Sequence, residues 1–198
     1  MSNPSRKEAA SPRRRECFEL EKKAGKRRQK KATEHYKQVK VTGDGRCMFR
    51  ALALGLAHIQ KRNVTKREET EEADVLRNAC FERMCRNEEK RREHPEATMA
   101  VKYGESGGLE RYCRRLQAEN FWGGEVELLI LVQMIKRPIK VYLPASMAKN
   151  ASSGSGFVCI QTYGEAFAER TSKHTGAKTK REPVRLLYDG STHYDLLI

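Results

Sequence analysis

The chain of 198 residues has no run of about 18 apolar residues, so no membrane-spanning helix is expected. Its first residues lack the apolar stretch of a secretory signal peptide. The expected setting is therefore the reducing interior of a cell, cytoplasmic or nuclear, with the six cysteines present as free thiols. There is no Cys-x-x-Cys pair. Cys80 and Cys85 stand five apart on an expected helix, pointing in different directions, which argues against zinc. No metal or other cofactor is expected. Cys80, Cys85, Cys113 and Cys159 sit in mixed apolar patterns and read as small core residues, while Cys17 has no partner visible in the sequence. No internal repeat is visible, so nothing points to a repeat array.

What the chain has in excess is positive charge, 40 Lys and Arg against 26 Asp and Glu, and it is unevenly placed. Residues 1–40 hold 14 Lys/Arg and 5 Glu, a balance of +9, which leaves 26 basic against 21 acidic residues, or +5, for residues 41–198. A basic extension over residues 1–36 is thus set apart from a body at 37–198, large enough for one core. Such an arm can bind nucleic acid, anionic lipid or an acidic partner, and a simple solvated tail fits it equally. Its clusters Arg13-Arg14-Arg15 and Lys26–Lys31 also fit a nuclear address. Residues 1–14, with Pro4 and Pro12, are expected to be disordered, and residues 16–36 to be helical. A monomer is expected.

In the body, Val39 and Val41 alternate with Gln38 and Lys40, a short strand pattern. After the turn Gly43-Asp44-Gly45, residues 47–56 form an almost wholly apolar run expected as a buried helix. A charged helix is expected over 66–93, with Val75, Leu76, Ala79, Cys80 and Met84 as its apolar stripe. His94 before Pro95 reads as a helix stop, and a shorter helix is expected near Leu109–Gln117. Trp122 before two glycines reads as a packing anchor. Glu125–Ile135 is an apolar helix with acids at its start and Lys136 and Arg137 at its end, as the helix dipole favours. Strands follow at Ile139–Leu143 and Phe157–Tyr163, a mobile loop at 169–182, and a hairpin of Val184–Tyr188 with His193–Ile198. The sum is an α/β (α+β) body, with a small late sheet flanked by helices.

A cysteine nucleophile needs a lowered pKa, access, a base and donors for an oxyanion. Cys47 stands where a glycine turn enters an apolar helix, the positive end of a helix dipole. Gly43 and Gly45 let that turn bend tightly and bring N–H groups toward a substrate oxygen. Among the five histidines, His193 is the base candidate. On a strand it shares a face with Asp195, about 6–7 Å along the backbone, so the carboxylate can accept from the imidazole, expected through Nδ1–H. A surface hairpin histidine beside an acid satisfies the same spacing. His35 and His174 lie in charged or flexible segments, and His58 ends an apolar helix.

Three blocks carry a resemblance. Gly43-Asp44-Gly45-Arg46-Cys47-Met48-Phe49-Arg50-Ala51 resembles the Asp-Gly-x-Cys-x-Phe-Arg block of the ovarian-tumour (OTU) cysteine proteases. Trp122-Gly123-Gly124-Glu125-x-Glu127-Leu128, with Pro138-Ile139-x-Val141, resembles the middle block, and His193-Tyr194-Asp195 the terminal one. The resemblance implies a papain-like fold and a deubiquitinase acting on ubiquitin or polyubiquitin. It implies Cys47 as nucleophile, His193 as base and Asp195 as orienting acid. Asp44 matches a loop position that shapes the oxyanion site, with the Cys47 N–H as oxyanion donor. Arg46 and Met48 depart from the commoner Asn and Leu. Two other readings stay open: a ubiquitin- or nucleic-acid-binding module on the same fold, and a protease for a ubiquitin-like modifier.

Overall fold

A turn built on one aspartate closes a hairpin of the sheet. In the computed structural model, which describes residues 30–171 and 176–198, Asp189 Oδ1 accepts the backbone N–H groups of Ser191, Thr192 and His193 at 2.8, 3.0 and 2.9 Å. This side-chain turn closes a hairpin and fixes its register, Leu187 opposite Asp195 and Leu186 opposite Leu196. Seven strands are formed by the described residues: β1 Gln38–Val39, β2 Ile139–Pro144, β3 Phe157–Tyr163, β4 Glu169–Thr171, β5 Lys178–Lys180, β6 Val184–Tyr188 and β7 Tyr194–Leu197. Five of them make one sheet in the order β1-β7-β6-β2-β3, antiparallel except for the β2–β6 pair.

Six α-helices stand among the described residues: α1 Cys47–Ile59, α2 Lys66–Phe81, α3 Glu88–Arg92, α4 Pro95–Gly104, α5 Gly108–Leu116 and α6 Glu125–Ile135. Helix α1 is apolar on nearly every side, so it is the buried one: Met48, Phe49, Ala51, Leu52 and Ala53 lose contact with solvent. It lies on β6 and β7 so closely that a Cβ on Gly55 would come within 2.5 Å of Val184 Cγ1. The main core gathers this helix, α2, α6 and the inner face of the sheet. On the outer face Tyr142, Leu187 and Leu197 form a small second cluster, closed by Tyr36. None of these helices is long and apolar enough to cross a membrane.

Several expectations change here. The expected disorder of residues 1–14, most of the helix at 16–36, Cys17 and His174 lie outside the described residues. Residues 31–36 are extended, bridging Ala151 and Phe157, and Tyr36 meets Tyr142 edge-on with ring centroids 5.5 Å apart. Apolar Tyr36 has a sheet face to cover, and that outweighs local helix propensity.

The charged helix at 66–93 is not continuous. A capping box between Thr65 and Glu68 starts α2, a π-helical turn follows at Glu82–Arg86, and Asn87 caps α3. The buried face of α2 is Glu69, Ala73, Arg77 and Cys80, while Val75 of the expected stripe is 66% exposed. Two of the four inward residues are charged, which a hydrophobicity pattern does not register. The preceding helix ends at Arg92, just before His94 as expected, and His94 and Pro95 also begin the next one, Pro95 taking the first helical position, where its missing N–H costs nothing.

Cys85 and Cys113 are joined by a disulfide, against the expectation of free thiols, with Cys47, Cys80 and Cys159 left free. The bridge ties the π-helical turn to α5, a proximity no spacing rule reveals. Cys159 is only partly covered. The expected loop at 169–182 contains the antiparallel ribbon β4–β5.

Candidate active site

Cys47 is the first residue of α1, and the turn before it is held from within. Cys47 N–H donates to the Asp44 carbonyl at 3.0 Å, and Arg46 N–H to Asp44 Oδ1 at 3.0 Å. Gly45 is required by contact: a Cβ there would stand 2.3 Å from the Glu119 carbonyl oxygen and 2.7 Å from that of Phe121. The turn is therefore pressed against the 118–121 segment. That segment is fixed in turn by Arg77 of α2, whose guanidinium donates to the carbonyls of Leu116 (2.8 Å) and Ala118 and lies over the Phe121 ring. Phe121 is buried and Trp122 is 41% exposed, so the anchor expected at Trp122 is its neighbour Phe121. Gly123 lets the chain pass close to Met48 and Phe49.

Asp44 is gripped by Arg50, one turn into α1. Arg50 Nε lies 3.2 Å from both carboxylate oxygens and Nη2 lies 2.9 Å from Oδ2. Burial alone would raise the Asp44 pKa, but these bonds and the Arg46 N–H bring it below the usual carboxylate range. The other arm of Arg50 reaches α2, at 3.3 Å from Glu69 Oε1 and 2.8 Å from Thr70 Oγ1. Arg46 makes a second link to α2, 2.6 Å from Asp74 Oδ1.

The sulfur of Cys47 is buried, with 1% of the residue exposed, and its thiol faces the Thr192 carbonyl at 3.8 Å. Burial pushes the thiol pKa up, against the pull of the Tyr194 and Met48 backbone N–H groups. The direction is opposite to the lowered pKa expected, because the loss of solvent at the sulfur exceeds the stabilisation from those two N–H groups.

His193 follows the Asp189 turn, immediately before β7. Its Nε2 is 3.0 Å from Asp195 Oδ1, and a Cβ built on Gly43 would lie 3.8 Å from its Nδ1 and Cε1. The ring therefore presents its Nδ1 edge to the glycine turn that leads into Cys47. The expected Nδ1 contact with the acid is corrected to Nε2, since only the fold decides which edge a two-residue strand offset presents. Asp195 itself is 7% exposed and receives two more donors, Val41 N–H on Oδ1 at 2.9 Å and Gln38 Nε2 on Oδ2 at 2.6 Å.

Of the residues named from sequence, His193 and Asp195 are paired, while Cys47 faces the carbonyl of Thr192, the residue before His193, and the His193 ring faces Gly43 of the turn leading into Cys47. Asp44 lies on the same turn but engages Arg50. His58 is exposed in the last turn of α1, and His35 is exposed beside Gly156. Sequence reasoning missed Gln38, Glu69, Arg77, Asp189 and a role for Arg50. Arg50 and Arg77 carry a weak signal, a lone cation on an otherwise inward helical face.

A family model described as OTU-like cysteine protease matches residues 42–194. The OVARIAN TUMOR DOMAIN-containing deubiquitinating enzyme 3 of Arabidopsis thaliana is 42% identical over 168 residues, 84% of this chain and 70% of that protein. Enzyme 4 of the same name and organism is 29% identical over 85% of this chain, which spans only 45% of its length. Among solved structures, an OTU deubiquitinase from Wolbachia pipientis wMel bound to ubiquitin superposes with a TM-score of 0.55 at 18% identity, covering 83% of this chain and 96% of its own. At that identity the likeness concerns the fold, a mixed arrangement of helices and sheet.

Proposed function

This chain belongs to the OTU-like cysteine proteases, and on that footing we propose that it is a deubiquitinase working through Cys47, His193 and Asp195. The substrate is an isopeptide or peptide bond after the C-terminal glycine of ubiquitin. His193 Nδ1 takes the thiol proton as Cys47 Sγ bonds to the scissile carbonyl carbon. The same nitrogen returns the proton to the departing amine, leaving a thioester that water hydrolyses. Asp195 accepts from Nε2–H and so keeps Nδ1 available as the basic nitrogen. The observation that carries the reading is the 3.0 Å pair of His193 Nε2 and Asp195 Oδ1, with the Nδ1 edge turned to the nucleophile's turn.

Cys47 N–H is the oxyanion donor in this reading. It now donates to the Asp44 carbonyl, so it must turn from that oxygen to the substrate's when a carbonyl arrives. A ubiquitin probe with a C-terminal electrophile tests the whole proposal: wild-type protein is labelled and Cys47→Ala is not. A folded wild-type chain that stays unlabelled overturns it. A probe built on a ubiquitin-like modifier, labelling faster than the ubiquitin probe, would assign the other substrate class. Profiling the eight diubiquitin linkages then reads linkage preference.

The +9 balance of residues 1–40 favours a second, separable property of the basic extension, binding to nucleic acid or an acidic partner. Residues 31–37 pack on the sheet, so the informative truncation removes residues 1–29. Hydrolysis kept with loss of salt-sensitive RNA binding supports the separate role. Unchanged RNA binding rejects it.

A further inference from the structure

Gln38 lies outside the segment that matches the family model, which begins at residue 42, yet its side chain touches the acid that orients His193. The contact follows from strand register. In the antiparallel β1–β7 pair, Gln38 stands opposite Leu197, and Leu197 shares a face with Asp195 two residues earlier. Gln38 and Asp195 are therefore diagonal neighbours on one sheet face, a separation of about 7–8 Å that a long side chain spans. The amide Nε2 meets Asp195 Oδ2 at 2.6 Å.

This divides the carboxylate between two tasks. Oδ1 takes the Val41 N–H at 2.9 Å and faces His193 Nε2 at 3.0 Å, while Oδ2 is occupied by Gln38. A carboxylate with only Oδ1 held can rotate about its Cβ–Cγ bond. With a donor on each oxygen it is fixed in plane, and Oδ1 stays directed at the imidazole. β1 is held to the body by backbone pairing on both sides of Gln38, Lys37 with Ile198 and Val39 with Leu196. The anchor is thus as rigid as the sheet edge.

We propose that Gln38 is a positioning residue of the active site, acting through Asp195 on the orientation of His193. The proposal rests on the triad reading above and deepens it. Its chemical content is a donor requirement at this position: the side chain must present an N–H to Oδ2, and its length must span the diagonal.

The test is steady-state hydrolysis of a fluorogenic ubiquitin substrate by the full chain, with kcat and KM separated and thermal unfolding measured for each variant. Gln38→Ala is expected to lower kcat about 10- to 100-fold with KM unchanged, the scale of one hydrogen bond to a charged group. Gln38→Lys, which restores a donor of sufficient reach, recovers most of that rate, and Gln38→Asn, too short for the diagonal, does not. Gln38→Glu, which sets a carboxylate against Asp195, falls at least as low as alanine.

Wild-type kcat in Gln38→Ala overturns the proposal. So does a loss that tracks KM or melting temperature, or a lysine variant no better than alanine. Asp195→Ala separates this failure from that of the triad. If Asp195→Ala keeps full rate, the triad reading has failed. If it loses rate while Gln38→Ala does not, only the positioning role is rejected.

Discussion

The guanidinium of Arg50 grips the carboxylate of Asp44 along both oxygens, at 2.9 to 3.2 Å, and continues to Glu69 on the neighbouring helix. Asp44 is also the residue whose carbonyl holds the Cys47 N–H. One buried cation thus connects the helix α2 to the turn that carries Cys47. Arg50→Ala leaves Glu69, 2% exposed, with only the exposed Lys66 Nζ at 2.9 Å as a cationic partner, and a loss of about 1–3 kcal/mol in unfolding free energy is expected by denaturant titration. Arg50→Lys keeps the charge but not the two-pronged grip, and should retain most of the stability while kcat falls about 10²-fold, the scale of one misplaced oxyanion donor. Asp44→Ala should follow Arg50→Lys. Asp195→Ala should fall further, about 10³- to 10⁴-fold in kcat. The reverse order in rate measurements would move the orienting role to Asp44.

Gly45 and Gly104 make opposite predictions for the same substitution. A methyl group at Gly45 meets two backbone carbonyl oxygens at 2.3 and 2.7 Å, and neither can move without shifting the segment that Arg77 holds. Gly45→Ala should lower stability by about 1–3 kcal/mol and abolish probe labelling. Gly104 ends α4 with nothing within 4 Å of the new methyl. Gly104→Ala should raise the unfolding free energy by about 0.5–1 kcal/mol and leave labelling unchanged. Paired thermal melts and probe gels read both.

His94 couples stability to pH. It is 4% exposed, and among the described residues neither ring nitrogen has a hydrogen-bond partner. Burial, followed by the nearby charge of Arg83, lowers its pKa, against the opposing effect of Glu93, while Lys136 adds to the lowering. The unfolded chain therefore takes up a proton near pH 6.5 that the folded chain refuses until a lower pH. Stability is fully present above that point and is lost as pH falls through the folded value. His94→Asn cannot titrate, and its denaturation midpoint should change less between pH 7 and pH 5 than the wild type's. Parallel slopes would remove His94 from the acid response.

The Cys85–Cys113 bridge closes a loop with a sequence separation of 28 residues. A cross-link of that span is worth about 3–4 kcal/mol in chain-entropy terms. Reductant, or the pair Cys85→Ser and Cys113→Ser, should lower the melting temperature while leaving Cys47 reactive to the ubiquitin probe. Intact-mass measurement of the alkylated protein with and without reductant reports whether the bridge is populated.

The sequence alone determined the elements whose pattern is local. The apolar run after Cys47 had to be a buried helix. The alternation at Ile139–Leu143 and the paired runs around Asp189 had to be strands. The three motif blocks, in order, were enough to place the chain in one family. Chain order also carried β1, read from the alternation of Gln38, Val39, Lys40 and Val41.

The tertiary structure decided what depends on contacts between distant segments. Glu69 and Arg77 face inward because each finds a buried partner across the fold, and a hydrophobicity pattern scores them as outward. Tyr36 is extended because a sheet face needs covering. Cys85 and Cys113 meet only once the π-helical turn lies beside α5. The same reason governs the active site. A two-residue offset places His193 and Asp195 on one face, but which imidazole edge meets the acid, and that Gln38 and Val41 complete its coordination, follow from the pairing of the first strand with the last.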